Sequence, residues 1–214
     1  MSEVKLKILC LHGYRQNATK FRSQTGALRK NLKNVADFHF LSAPHVVPYT
    51  EHYEGDENEE RAWWFTTPTS FSSRDETSMD KGLTESLNAI KKYFLENGPF
   101  DGILGFSQGA CLTGLICALK ERKEIDLDFS FAIIVAGFQS RCTLHRKFYD
   151  QKININSLHV IGETDQIISN SMSYALVDTF VNASVIKHPG GHFVPGKSVL
   201  KDQYITFLQA QQKM

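Results

Sequence analysis

Ser107, Asp165 and His192 are the residues whose types and order could do covalent chemistry together. Ser107 stands in Gly105-Phe106-Ser107-Gln108-Gly109, a G-x-S-x-G spacing. A serine hydroxyl is a weak nucleophile until a histidine takes its proton and a carboxylate orients that histidine. Asp165 follows Ile161-Gly162-Glu163-Thr164, and His192 follows Pro189-Gly190-Gly191. Serine, then acid, then histidine is one of the chain orders in which such a set occurs. Alone, Asp165 would read as a turn residue capping the next helix, and His192 as a surface histidine. Glu163, closer to its strand, and His188, at a strand end, are the competitors. His159 lies inside a strand, and His145 has no partner in view. None of the eight histidines has metal-ligand spacing, so no metal and no cofactor are expected.

The G-x-S-x-G spacing needs a sharp strand-to-helix turn that holds the serine in a strained conformation with its hydroxyl exposed. Side chains at positions 105 and 109 would collide with neighbouring backbone. Here an apolar strand, Gly102 to Phe106, precedes the serine, and a helix over 107–120 follows it. Its first turn supplies free N–H groups and a positive dipole end. A tetrahedral intermediate needs two backbone donors. The N–H of Gln108 is one candidate. Tyr14, in the loop Leu11-His12-Gly13-Tyr14-Arg15 after the first strand, is the other,. His12 could equally be a hydrogen-bonded structural residue of that loop.

The elements that must position these residues alternate between strand and helix, which predicts a mainly parallel sheet of about six strands with helices on both faces. Strands are expected at 5–11, 38–41, 102–106, 129–136, 158–161 and 184–188. Helices are expected at 17–32, 80–96, 107–120 and 169–181, and from Pro195 onwards. In 80–96 the residues Leu83, Leu87, Ile90 and Phe94 repeat every three to four positions,. Residues 45–79 break the rhythm with an acidic stretch at 51–60, then Trp63-Trp64-Phe65, then a Ser/Thr-rich run. Long connections of this kind are often lids or binding loops; a solvated insertion with its aromatics folded onto the body is the alternative. One domain over 1–214, with 45–79 as its insertion, is expected.

Composition narrows the class. The chain has 214 residues, 42% hydrophobic and 22% charged, with a formal net charge of +1. Nothing in that balance steers it to nucleic acid or an anionic membrane, and the basic group Arg29, Lys30 and Lys33 reads as a solvated helix face. Cys10, Cys111, Cys117 and Cys142 form no C-x-x-C pair or disulfide framework,. A reducing compartment fits: cytoplasm, with the nucleus as an alternative. The N-terminal apolar run is short and reads as a strand, and no stretch is long enough for a membrane anchor. A monomer is expected.

Four stretches together resemble the FSH family of serine hydrolases, most of all its animal branch: Leu-His-Gly-Tyr-Arg-Gln-Asn, Gly-Pro-Phe-Asp-Gly-Ile-Leu-Gly-Phe-Ser-Gln-Gly-Ala, Gly-Glu-Thr-Asp-Gln-Ile-Ile and His-Pro-Gly-Gly-His-Phe-Val-Pro. The resemblance implies a compact α/β-hydrolase fold and assigns Ser107, Asp165 and His192 as nucleophile, acid and base. It further implies hydrolysis of carboxylic esters, with long acyl or alkyl chains as substrates. Trp63, Trp64, Phe65, Phe138, Phe193 and Val194 are then candidates to line an apolar acyl channel. Two other readings remain: a thioesterase or lysophospholipase-like enzyme using the same machinery, and a catalytically silent member acting as a binding module.

Overall fold

The computed structural model describes residues 5–48 and 59–212. Most of the acidic stretch at 51–60 therefore lies outside the described residues. Six strands build the main sheet: β1 Leu6–Leu11, β2 Ala36–Leu41, β5 Gly102–Phe106, β6 Phe131–Val135, β7 Asn156–Gly162 and β8 Ala183–His188. Their spatial order is β2-β1-β5-β6-β7-β8 and every pairing is parallel. The short strands β3 His45–Val46 and β4 Arg61–Ala62 pair antiparallel beside it.

Strand alternation splits the core into two layers. Leu6, Ile8 and Cys10 of β1 point to one face, where Leu104, Ile133, Val160 and Ile186 join them. That face is covered by α1 Ala18–Gln24, α2 Gly26–Leu32 and α6 Lys201–Gln211, through Phe21, Leu28, Leu32, Tyr204 and Leu208. Leu9, Leu11, Ile103, Ala132 and Ile134 point to the other face. There α3 Leu83–Asn97, α4 Gln108–Glu121 and α5 Asn170–Val177 cover the sheet. Residues 108–119 of α4 are all buried, which explains why this helix is apolar on every side.

Most elements lie within a few residues of their expected places, and the departures have local causes. The helix expected over 17–32 is two helices that meet at Thr25. The Thr25 hydroxyl donates to the Phe21 carbonyl oxygen at 2.8 Å, a back-bond that bends helices, and Gly26 follows. The helix expected from Asp80 starts at Leu83, because Gly82 has φ 92. A Cβ there would overlap the His45 ring, so only glycine fits. The strand expected to end at Ala136 stops one residue earlier, as Ala136 turns to φ 50. Among the described residues, no helix is long and apolar enough to cross a membrane.

Burial also fixes the charge of two histidines. His159, in β7, is 2% exposed and its Nε2 lies 3.1 Å from Ser157 Oγ; burial pushes its pKa down to about 3. His12 is fully buried and pushed down to about 4, mainly by burial. Folded-state values below the unfolded 6.5 mean that the unfolded chain binds more protons between these values and pH 6.5. Stability contributed this way is present above pH 6.5 and is lost as pH falls. Between pH 7 and pH 5 each histidine should cost about 2 kcal/mol of unfolding free energy. Urea titrations at the two pH values should show the loss, and His159→Leu should remove about half of it.

Candidate functional site

The site grows from the turn between β5 and α4. Ser107 has φ 53 and ψ −113, a conformation strained for any side-chain-bearing residue. Close packing imposes it. A Cβ on Gly109 would overlap the Leu11 carbonyl oxygen, and one on Gly105 the Gly109 carbonyl oxygen. The start of α4 is therefore pressed against the end of β1. The Ser107 N–H donates to the Val135 carbonyl oxygen at 3.0 Å, and the Ser107 carbonyl oxygen accepts from the Cys111 N–H at 2.9 Å. Ser107 itself stays partly exposed at the N-terminus of α4.

Asp165 and His192 reach this serine from the ends of β7 and β8. The parallel pairing of those strands continues into the loops, where Glu163 N–H donates to the His188 carbonyl oxygen and Thr164 N–H to that of Gly190. Gly162 has no room for a side chain against the Gly190 and Gly191 carbonyl oxygens. The two loops are thus joined, and the relay closes: His192 Nδ1 is 2.7 Å from Asp165 Oδ2, and His192 Nε2 is 2.9 Å from Ser107 Oγ. Asp165 is buried, and its Oδ1 accepts from the N–H groups of Ile167 and Ile168 at 2.8 and 2.9 Å. A carboxylate held on both oxygens can orient the imidazole and stabilise its cationic form. The Phe106 ring packs on His192 at 4.9 Å. The competitors fall outside the relay. Glu163 is exposed. His188 is buried, accepts from the Gly190 N–H through Nδ1, and is held below the ordinary histidine range mainly by burial.

The loop after β1 is built around His12. Its Nε2 accepts from the Ala43 N–H at 2.9 Å, so its Nδ1 carries the proton and donates to the Gly13 carbonyl oxygen at 2.7 Å. The neutral form that burial enforces is the form this pairing needs. Gly13 sits against the Phe106 ring, and its N–H donates to Gln16 Oε1. The N–H groups of Tyr14 and Gln108 have no acceptor among the described residues. An oxyanion needs two unpaired donors of this kind.

Residues 59–80 hold that loop in place. Gln108 is fully buried, and its side chain accepts from the Trp63 N–H at 3.0 Å and donates to the Trp64 carbonyl oxygen at 2.8 Å. The Trp63 indole donates to the His12 carbonyl oxygen. Arg61 exchanges backbone hydrogen bonds with Arg15 and Gln16. Trp63, Trp64 and Phe138 are buried to 1% exposure or less and Phe65 to 5%. These four residues are buried in core clusters, and the Trp63 indole is spent on the loop. Phe193 and Val194 differ, bordering a cavity of about 270 Å³ beside His192 together with Gln16, Gln24 and Phe106. A wider groove of about 730 Å³ between β8 and α6 touches none of the relay.

Sequence reasoning missed three features. The Gln108 side chain carries no local signal of partners so far away in the chain. Phe71 lies in the Ser/Thr-rich run yet is partly exposed among Tyr14, Trp64 and Phe138, with ring centroids 5.6, 5.0 and 6.3 Å away. Burial pushes the Tyr14 hydroxyl above the ordinary tyrosine range, against a smaller downward pull from the Phe71 backbone. His145 has partners after all: Nδ1 is 2.7 Å from Ser140 Oγ and Nε2 3.2 Å from Asp80 Oδ2. That buried pairing fastens residues 77–80 to the loop after β6. Among the described residues no group of three or more His, Cys, Asp or Glu could hold a metal.

The fold is that of an α/β-hydrolase. Solved structures alike in fold include esterase PE8 and Zea mays acyl-protein thioesterase 2, each with TM-score 0.65 and 17% identity, covering 97% of this chain and 93% and 94% of theirs. The family described as Serine hydrolase (FSH1) matches residues 1–204. Esterase OVCA2 of Danio rerio is 47% identical over 98% of this chain and 99% of its own, and that of Xenopus tropicalis 49% over 95% and 92%. The chain belongs to the FSH1 family of serine hydrolases, and it is an esterase of that family.

The Gln108 bridge can be tested directly. Gln108→Met would leave the Trp63 N–H and the Trp64 carbonyl oxygen buried without partners. Each such loss costs about 1–3 kcal/mol. Urea unfolding should show a loss of about 2–4 kcal/mol, with ester turnover falling as the Tyr14 loop loses its support.

Proposed function

We propose that this chain hydrolyses carboxylic esters with long acyl or alkyl chains through a Ser107-His192-Asp165 triad and an acyl-enzyme. The observation that carries the reading is the relay itself, with 2.9 and 2.7 Å separations running from Ser107 through His192 to a buried Asp165. His192 Nε2 takes the Ser107 proton as Oγ attacks the ester carbonyl. The N–H groups of Gln108 and Tyr14 hold the oxyanion. As the carbon–oxygen bond to the alcohol breaks, His192 returns the proton to the leaving oxygen. Water, deprotonated by His192, then attacks the acyl-enzyme and releases the acid. Asp165 keeps Nδ1 protonated and compensates the imidazolium charge.

A preference for long chains is supported by apolar side chains near the relay: Phe106, Phe193 and Val194 beside His192, and Phe71 against Tyr14. The substrate we favour is an uncharged, lipid-like ester. The four cysteines are free and buried, in keeping with a cytoplasmic setting. Thioesters would meet the same machinery, and a panel of matched esters and thioesters separates the two.

Ser107→Ala should abolish both ester turnover and covalent labelling by a fluorophosphonate, while leaving the urea midpoint near that of the parent chain. Retention of both activities would discard the assignment. Asp165→Asn should lower kcat by about 10⁴-fold, because an amide favours the wrong imidazole tautomer; stopped-flow ester hydrolysis measures it.

A further inference from the structure

We propose that the cavity beside His192 is the subsite for the alcohol half of the ester, and that it takes an uncharged, largely apolar alkyl or aryl alcohol. The inference rests on the triad reading above and adds which half of the substrate lies on which side of Ser107.

The argument is one of proton delivery. During acylation the Ser107 Oγ–carbon bond forms and the carbon–alkoxy bond breaks. The proton that left Ser107 sits on His192 Nε2 and must pass to the alkoxy oxygen. That oxygen therefore lies within hydrogen-bond reach of Nε2, and the chain bonded to it begins at the imidazole. The cavity of about 270 Å³ has the His192 ring as one wall, and the next two residues, Phe193 and Val194, as another. Phe71 packs against Tyr14 with ring centroids 5.6 Å apart; the triad reading gives the Tyr14 N–H to the oxyanion, and the acyl chain is assigned to that side.

Phe193 is held where an apolar chain could meet it. It is 45% exposed, although burying a phenylalanine side chain is worth roughly 1.5–3 kcal/mol. Its ring stands edge-on to His188 at 4.9 Å, and it fills the space that a Cβ on Gly190 would need. The opposite wall is fixed too: Gln16 Nε2 donates to Gln24 Oε1 at 2.7 Å, while Gln16 Oε1 accepts from the Gly13 N–H. Among the described residues no Asp, Glu, Lys or Arg side chain borders the cavity, so an alcohol bearing a charged head group would be desolvated without compensation.

Two ester series test the assignment, one with a constant acyl group and lengthening alcohols, the other with a constant alcohol and lengthening acyl groups. For the parent chain kcat/KM should climb along the alcohol series. Phe193→Ala should flatten that climb, lowering the ratio of kcat/KM for the longest alcohol to that for the methyl ester at least tenfold. Val194→Trp, which fills the cavity, should exclude long alcohols and keep methyl esters. The alcohol has left before water attacks, so single-turnover deacylation of a shared acyl-enzyme should run at the same rate in the parent and Phe193→Ala. A Phe193→Ala effect on the acyl series or on deacylation, or no effect on either series, overturns the subsite. Absence of any acyl-enzyme in the parent chain would instead overturn the triad reading.

Discussion

The close approach of α4 to the end of β1 is the constraint on which the rest of the site depends. A helix that starts against a strand carbonyl cannot carry a side chain at the contact, and Gly109 meets that demand against Leu11. The same approach forces Ser107 into a left-handed conformation. Strain of this sort persists only where the surroundings over-determine it. Here they do: parallel pairing of β5 with β1 and β6 fixes one end of the turn, and the buried body of α4 fixes the other. The loops after β7 and β8 can then bring Asp165 and His192 to a serine whose place is already set.

Electrostatics follows the same frame. A neutral imidazole at position 12 can accept from the Ala43 N–H while donating to the Gly13 carbonyl oxygen. A protonated one would set a donor against a donor. Burial keeps the ring neutral, so desolvation, often a cost, here selects the tautomer that shapes the loop carrying the Tyr14 N–H. Gln108 works in parallel. It offers one amide oxygen to the Trp63 N–H and one amide nitrogen to the Trp64 carbonyl oxygen, on two consecutive residues. Its own N–H remains free at the start of α4.

Legibility in the sequence tracked how local each cause is. Ser107, Asp165 and His192 stand on turns whose glycines and strand ends are visible in the chain, and the structure brings the three within hydrogen-bond distance. Two-sided burial made β5, β6 and α4 legible from continuous apolar runs. The break at Thr25 was not legible, because a threonine back-bond leaves the apolar period intact. Trp63 and Trp64 were read as candidate channel lining, and their full burial was not legible for a related reason. An aromatic pair in an irregular segment serves a cavity wall and a core equally well. What decides is the partner of each backbone and indole group, and those partners, His12 and Gln108, lie some forty to fifty residues away.

Residues 59–80 show how an irregular segment can be as fixed as a helix. A lid needs few buried contacts and exposed hydrogen bonds. This segment instead buries two tryptophans, gives the Thr66 carbonyl oxygen to the Thr77 hydroxyl, and pairs Thr77 with Cys142. Arg74 reaches the Ile167 carbonyl oxygen on the loop that carries Asp165. The segment thereby ties the loop after β1 to the loop that carries Asp165. Opening of residues 59–80 would break the buried Trp63 and Trp64 hydrogen bonds and the Arg74 contact to the Asp165 loop together. Apolar side chains stay open to solvent near both of these loops, Phe71 against Tyr14 and Phe193 at the cavity beside His192.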